Sequence, residues 1–260
     1  MRIPIYHVDA FTDRVFGGNP AAVCPLERWL PDASLQAIAA ENNLSETAFF
    51  IPDAEGFRLR WFTPTVEVDL CGHATLASAF VLFNYLDEDG DKVTFLTRSG
   101  ALHVVRRDDV LEMDFPSLPP GPCEVHPGLI PALGTEPESI TAARDYLCVF
   151  RSAEQVRALN PDFVRLRNSD RFAVIATAPG TDCDFVSRFF APAQGIDEDP
   201  VTGSAHCTLI PYWSQRLGRR TLRAHQVSLR GGELFCEDRG DRVGIAGKAA
   251  LYMRGKIEIG

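Results

Sequence analysis

The chain has 260 residues, 45% hydrophobic and 23% charged, enough for one large or two medium globular domains with a real core. Its net charge of −9, with no basic run beyond Arg106-Arg107 and Arg219-Arg220, argues against a nucleic-acid or anionic-membrane partner and for a small soluble ligand. Seven cysteines without a C-x-x-C pair fit reduced thiols better than a disulfide framework or a zinc site, and no signal-like or membrane-spanning apolar run occurs, which together point to the cytoplasm.

The first hundred or so residues read mostly as strands, at 3–11, 21–24, 48–51, 57–62, 93–97, 101–105 and 111–115, with Gly17-Gly18-Asn19-Pro20, Asp53 and Gly56 as turns between several of them. Two helices interrupt them. One spans about 32–42 with Leu35, Ile38 and Ala39 on one face; the other follows Gly72. In the second helix Leu76, Ala77, Ala79, Phe80, Val81, Leu82, Phe83, Tyr85 and Leu86 leave almost no polar side, so it must be enclosed, and a sheet curled around it is the simplest enclosure. The unpaired N–H groups at its start would then be buried, which suits a carboxylate or phosphate. From Pro116 to Pro131 six prolines fall within sixteen residues, marking the hinge between two domains. Beyond it the pattern predicts strands at 146–150, 171–176, 183–190, 226–229, 233–237, 243–246 and 249–253, and helices at 136–143 and 154–159.

The second half repeats the first. Arg60-Trp-Phe-Thr-Pro64 has a counterpart in Arg188-Phe-Phe-Ala-Pro192, and each is followed by an acidic loop, a Gly and an apolar helix. Asp69-x-x-Gly72-His73-Ala74-Thr75 thus faces Asp199-x-x-x-Gly203-Ser204-Ala205-His206. The expected fold class is α+β, with two pseudo-symmetric domains that point two helix N-termini at one cleft.

In these segments the chain resembles the phenazine-biosynthesis (PhzF-like) isomerase family, which shares its fold with diaminopimelate epimerase and proline racemase. The resemblance is carried by Tyr6-His-Val-Asp-Ala-Phe11 with Gly17-Gly-Asn-Pro20, Leu44-Ser-Glu-Thr-Ala-Phe49, Arg60-Trp-Phe-Thr-Pro-Thr-Val-Glu-Val68 with Cys71-Gly-His-Ala-Thr75, and Gly195-Ile-Asp-Glu-Asp-Pro-Val-Thr-Gly-Ser-Ala205. It implies two domains, each a curled, mostly antiparallel sheet around a central helix: residues 1–116 joined by a returning strand at about 253–260, and residues 117–252. It also implies an active site in the cleft between them, a homodimer, and no metal or organic cofactor.

Glu46 stands between Leu44 and the apolar run Ala48-Phe49-Phe50-Ile51, where partial burial would suit it to proton shuttling; it resembles the family's catalytic Glu, which takes a proton from one carbon of an unsaturated ring and returns one to another. His73, beside Gly72, is read either as a polar helix cap or as a neutral imidazole that hydrogen-bonds the substrate, the role the resemblance implies. Asp199 and Ser204 are read as N-caps of the following helix, while the resemblance implies that Asp199 bonds a substrate amine or hydroxyl and that Gly203 and Ser204 help to hold its carboxylate. Asn19 lines the site from the first domain or is simply a turn residue.

Cys71 falls where a two-thiol racemase of this fold keeps its first thiol, but the partner position carries Thr202, and Cys207 lies a full turn too far along. His7, His206 and His225 read as residues with local partners, and Gly244-Ile-Ala-Gly-Lys248 lacks the span of a P-loop. The leading expectation is a cofactor-independent isomerase acting on a small carboxylated metabolite. Its rivals are an amino-acid racemase or epimerase of the same fold and a metabolite-binding or interaction protein without turnover.

Overall fold

Parallel pairing between strands that follow one another in sequence forces the chain to cross back, and here each crossover is made by a helix. Asn19–Pro25 pairs in parallel with Glu46–Asp53, and the helix Asp32–Asn42 makes the return, burying Leu35, Ile38 and Ala39 and stopping at Asn43, whose φ of 48° is left-handed. Glu46–Asp53 then forms a hairpin with Gly56–Phe62, which pairs in parallel with Lys92–Thr97 after the second helix, Gly72–Tyr85.

The computed structural model describes residues 1–86 and 88–260 and is α+β throughout, in two compact units: Met1–Asp114 with Ala246–Gly260, and Phe115–Ile245. The segment returning to the first unit is longer than the one expected from about 253. It contains the whole strand Ala249–Glu258, antiparallel to Arg2–Ala10.

In the first unit the helix Gly72–Tyr85 touches Arg2–Ala10, Asn19–Pro25 and Glu46–Asp53, and also Gly100–Arg107, which lies several strands further along the same pairing order. Only a sheet curled around the helix meets it from both ends. Ala74, Leu76, Ala77, Ala79, Val81, Leu82 and Phe83 are buried. The buried hydroxyls of Thr75 and Ser78 bond back to the carbonyls of Cys71 (2.6 Å) and Ala74 (2.7 Å), so neither is desolvated without compensation.

The second unit repeats this order. Tyr146–Val149 pairs in parallel with Val174–Pro179, a hairpin leads to Phe185–Ala191, and that strand pairs in parallel with Thr221–Gln226 after the helix His206–Leu217. Trp213 of this helix stacks on Phe185 with ring centroids 5.6 Å apart, and its indole N–H donates to Thr177 Oγ1 at 3.0 Å. The likeness extends to ion pairs. Arg60 grips Glu67 through Nε and Nη2 at 2.7 and 2.8 Å, and Arg188 grips Glu198 in the same two-pronged way at the same two distances.

Two expected elements differ. Residues 136–143 do not form a helix; Ser139–Ala142 is a strand paired with Tyr146–Val149, where Ile140 and Thr141 suit an extended chain better than a helix and pairing across the hairpin decides the matter. The strand expected at 226–229 lies earlier, at Thr221–Gln226. No helix of the described residues is long and apolar enough to cross a membrane.

Candidate functional site

Three elements of the first unit converge on one buried polar cluster. Gly18 has φ of 60°, and a Cβ there would run into the Ala10 carbonyl oxygen, so glycine is what lets the turn deliver Asn19 fully buried at the start of its strand. Glu46 opens the neighbouring strand, opposite Ala21. Cys71 is the extended residue (φ −145°) before the helix that begins with Gly72 and His73.

His73 is the hub. Its Nε2 lies 3.0 Å from Glu46 Oε2, its Nδ1 lies 3.2 Å from Asn19 Nδ2 and 3.5 Å from Cys71 Sγ, and the two ion-paired side chains are only 6% and 12% exposed. The Glu46 contact is close enough for an ion pair but is not aligned as a hydrogen bond, so buried Oε2 receives no aligned donor from the described residues. Asn19 serves the ring in either protonation state: its Nδ2 donates to an unprotonated Nδ1, and the amide turned over would present Oδ1 to a protonated one.

Burial is the largest influence on His73 and opposes its charge, but the neighbouring acidic groups of Cys71 and Glu46 outweigh it and hold the pKa well above that of an ordinary histidine. Burial, reinforced by the Glu46 charge, pushes the Cys71 thiol up to about 11. Near neutral pH Cys71 is therefore a thiol. The Glu46 contact thus favours the charged ring, against the neutral imidazole expected from the helix start. His73 is not a cap either, since Cys71 precedes the helix and makes no side-chain cap bond; the amides of Gly72 and His73 come before the first bond within the helix, from Thr75 N–H to Cys71 O. One atom each of Glu46, Cys71 and His73 lies within 4.8 Å of the others, a spacing a metal ion would accept.

In the second unit Asp199 ends the strand Ile196–Asp199 and accepts a short hydrogen bond from Thr202 Oγ1. Gln226, 1% exposed, fixes this turn: its Nε2 donates to Asp199 O (2.8 Å) and Thr202 Oγ1 (3.2 Å), and its Oε1 accepts from Thr202 N–H (2.9 Å). The following helix begins at His206 after a turn over Gly203 and Ser204, with Ala205 in the cap position and no side-chain cap bond, so the capping read from sequence for Asp199 and Ser204 is not formed. Ser204 Oγ instead accepts from Arg144 Nη2 at 3.4 Å, and Arg144 makes two-pronged contact with the buried Asp145.

The structure thus gathers Asn19, Glu46 and Cys71 around His73, beside Gly72, in the first unit, and in the second ties Asp199 to Thr202, with Gly203 and Ser204 in the turn that follows. Sequence reading missed Gln226, Arg144 and Asp145. Gln226 had a signal: it follows Leu222 and Ala224 on the inward face of its strand, and a polar residue in that series has a partner to hold. Arg144 and Asp145 occupy a turn just past the segment misread as helix and ahead of its partner strand, where pattern says little.

Comparison with known proteins adds to this geometry. The family model "phenazine biosynthesis-like protein" (PhzC-PhzF) matches residues 8–255. An uncharacterized isomerase of Pseudomonas aeruginosa is 54% identical over 259 residues, covering 100% of both chains. The solved structure of a PhzF-family phenazine biosynthesis protein from Enterococcus faecalis matches with a TM-score of 0.98 at 49% identity, covering 100% of both chains. A hydroxyproline epimerase from Agrobacterium vitis, solved with bound trans-4-OH-L-proline, shares the fold at a TM-score of 0.61 and 10% identity over 98% of this chain and 92% of that one.

Proposed function

The chain belongs to the phenazine biosynthesis-like family, of isomerase class, and on that premise we propose that it moves a proton within a small carboxylated substrate without a cofactor, Glu46 acting as general acid and base. The observation that carries this reading is the Glu46–His73 contact: a nearly buried carboxylate, 3.0 Å from an imidazole, with one oxygen that takes no aligned hydrogen bond. A carboxylate not committed to an aligned hydrogen bond keeps its basicity for a proton from carbon, and the imidazole beside it steadies its charge until then. Glu46 takes the proton from one carbon of an unsaturated substrate, the electron pair shifts through the conjugated bond, and the protonated carboxyl of Glu46 returns a proton to the far carbon. No proton or electron is left over.

The substrate carboxylate is proposed to lie against the amides of Gly72 and His73. Asp199, Gly203 and Ser204 are proposed to bind substrate, with Asp199 accepting from its amine or hydroxyl. A homodimer and a cytoplasmic location belong to the same proposal. A two-thiol racemase is disfavoured: Cys71 is held protonated by burial, and Thr202, committed to Asp199, stands where the second thiol would be. A binder without turnover would need the helix start but not a buried Glu beside it.

The test uses carboxylated 1,3-diene and β,γ-unsaturated acid substrates in deuterium oxide, followed by NMR. Wild type is expected to place deuterium at the newly protonated carbon, and Glu46→Gln to lose about two to four orders of magnitude in rate while keeping the fold. Full exchange in Glu46→Gln, or loss of exchange in Cys71→Ala with Glu46 intact, would overturn the assignment.

A further inference from the structure

Apart from the residues of the proposed reaction, Asp182, Cys183 and His225 bring a carboxylate oxygen, a sulfur and an imidazole nitrogen within 4.8 Å of one another. We propose that these three side chains form a binding site for a zinc-class divalent ion, with a fourth position taken by water. Sequence reading gave no hint of it, because the donors come from a turn and a strand 42 residues apart rather than from a spaced motif.

The backbone around them is fixed. Phe185–Ala191 and Thr221–Gln226 pair in parallel with Val186 opposite His225, and the turn before the first of these strands carries Asp182 and Cys183. Gly180 N–H donates to Asp184 O at 3.2 Å, Asp184 N–H donates to Arg223 O at 2.8 Å, and Asp184 Oδ2 accepts from Arg223 N–H at 2.6 Å. A Cβ on residue 180 would come within 2.6 Å of Cys183 Sγ, so glycine allows this turn to fold tightly over the thiol. Donors carried on such a frame need little ordering to close on an ion.

The ring of His225 is placed between two carboxylates. Its Nε2 is 3.5 Å from Glu233 Oε1, and Glu233 is itself held by Arg223; its Nδ1 is 3.9 Å from Asp182 Oδ1. A carboxylate on the far nitrogen is the usual way a metal-binding imidazole is oriented, and it leaves Nδ1 for the ion. Tetrahedral bonds of about 2.0–2.3 Å put neighbouring ligand atoms about 3.3–3.8 Å apart, so small side-chain rotations close the set. Sulfur and imidazole nitrogen select zinc over magnesium or calcium, which prefer oxygen alone. Asp182 is 69% exposed and His225 23%, which gives the ion a way in.

The thiol is occupied in the metal-free state. Cys183 Sγ donates to Phe185 O at 3.2 Å, and burial pushes its pKa up to about 11. The ion takes the place of that proton, which leaves to solvent as the sulfur–metal bond forms. Because the donors come from both sides of the parallel pair, a bound ion would tie the 180–184 turn to its neighbouring strand.

The test titrates Co2+ into the metal-free full chain and follows the near-ultraviolet thiolate-to-cobalt absorption. The expected result is a band that saturates near one equivalent, is lost in Cys183→Ser and in His225→Gln, and persists in Cys71→Ser, which removes the thiol of the Glu46 cluster. A second readout needs no variant: Zn2+ should slow alkylation of Cys183 by iodoacetamide about tenfold, read by mass spectrometry of the peptide that contains it. Absence of the band, its survival in Cys183→Ser, its loss in Cys71→Ser alone, or alkylation indifferent to Zn2+ would each overturn the proposal.

Discussion

His206 offers the most direct check on how the second unit is held together. It is fully buried; its Nδ1 lies 2.9 Å from Thr202 O, its ring is 5.9 Å from Phe185, and its Nε2 has no hydrogen-bond partner among the described residues. Burial lowers its pKa from 6.5 to about 4 despite the bond to Thr202. Folding therefore favours the neutral ring, and the unfolded chain binds a proton first as the solution is acidified. The contribution to stability is complete above about pH 6.5, is withdrawn as pH falls, and stops changing below about pH 4. At about 1.4 kcal/mol per factor of ten in proton affinity, the whole loss is roughly 3 kcal/mol, of which about 2 falls between pH 7.5 and pH 5. His206→Asn keeps a donor for Thr202 O and removes the titration. Urea unfolding followed by circular dichroism at pH 7.5 and 5.0 should show wild type losing about 2 kcal/mol more than the variant over that interval. The variant's absolute stability will be lower because the smaller side chain leaves a cavity, so the difference of differences is the measurement. Equal pH dependence in the two proteins would refute the account of His206 as a buried neutral ring.

His73 should behave in the opposite sense: two-dimensional NMR of its ring is expected to show a pKa above that of an ordinary histidine, and Glu46→Gln should lower it, since it removes one of the charges that oppose burial; an unchanged titration in that variant would refute the role given to the contact. Replacing Arg188 by Met should destabilise the protein by about 3 kcal/mol, because it leaves Glu198 partly buried and unpaired and strips the Leu159 carbonyl of a 2.6 Å donor; chemical denaturation checks this, and a loss below about 1 kcal/mol would show the pair to be surface-like.

Much of the first unit is legible in sequence because its elements obey single periods. The helix Gly72–Tyr85 is apolar all round and so could only be enclosed, and Asp32–Asn42 carries its inward face at Leu35, Ile38 and Ala39. Where reading failed, tertiary pairing overrode local pattern. Residues 226–229 have apolar character, but Leu229 is fully exposed, while the actual strand Thr221–Gln226 alternates inward Leu222, Ala224 and Gln226 against arginine and histidine. The capping read for Asp199 and Ser204 failed because an acidic residue ahead of a Gly looks the same whether it accepts from a helix amide or from a threonine hydroxyl. The influence of Glu46 on His73 was hidden for another reason. The helix start argued for a neutral ring, and Glu46, 27 residues away in sequence, pulls the other way through a contact that only folding creates.

The internal repeat sharpens the assignment of chemistry. Aligning Arg60–Phe62 with Arg188–Phe190 pairs Cys71 with Thr202, His73 with Ser204 and Thr75 with His206, once the longer acidic loop of the second half is allowed for. The backbone device is the same in both: Thr75 Oγ1 bonds the carbonyl of Cys71, and His206 Nδ1 bonds the carbonyl of Thr202. The side chains are not. Strand register carries the comparison to Glu46. Thr47 lies opposite Phe62, Val174 lies opposite Phe190, and the residue before Val174 is Ala173, buried and apolar. One half thus carries a carboxylate, an imidazole and a thiol in contact, while the other carries Asp199, Thr202 and Gln226, whose hydrogen bonds to one another fix a turn. An enzyme that moved protons symmetrically, with one base on each side, would need a titratable group at both positions. A single base that both removes and returns the proton needs only one such group, and that asymmetry supports the proposed isomerisation by Glu46 over racemisation by two opposed groups.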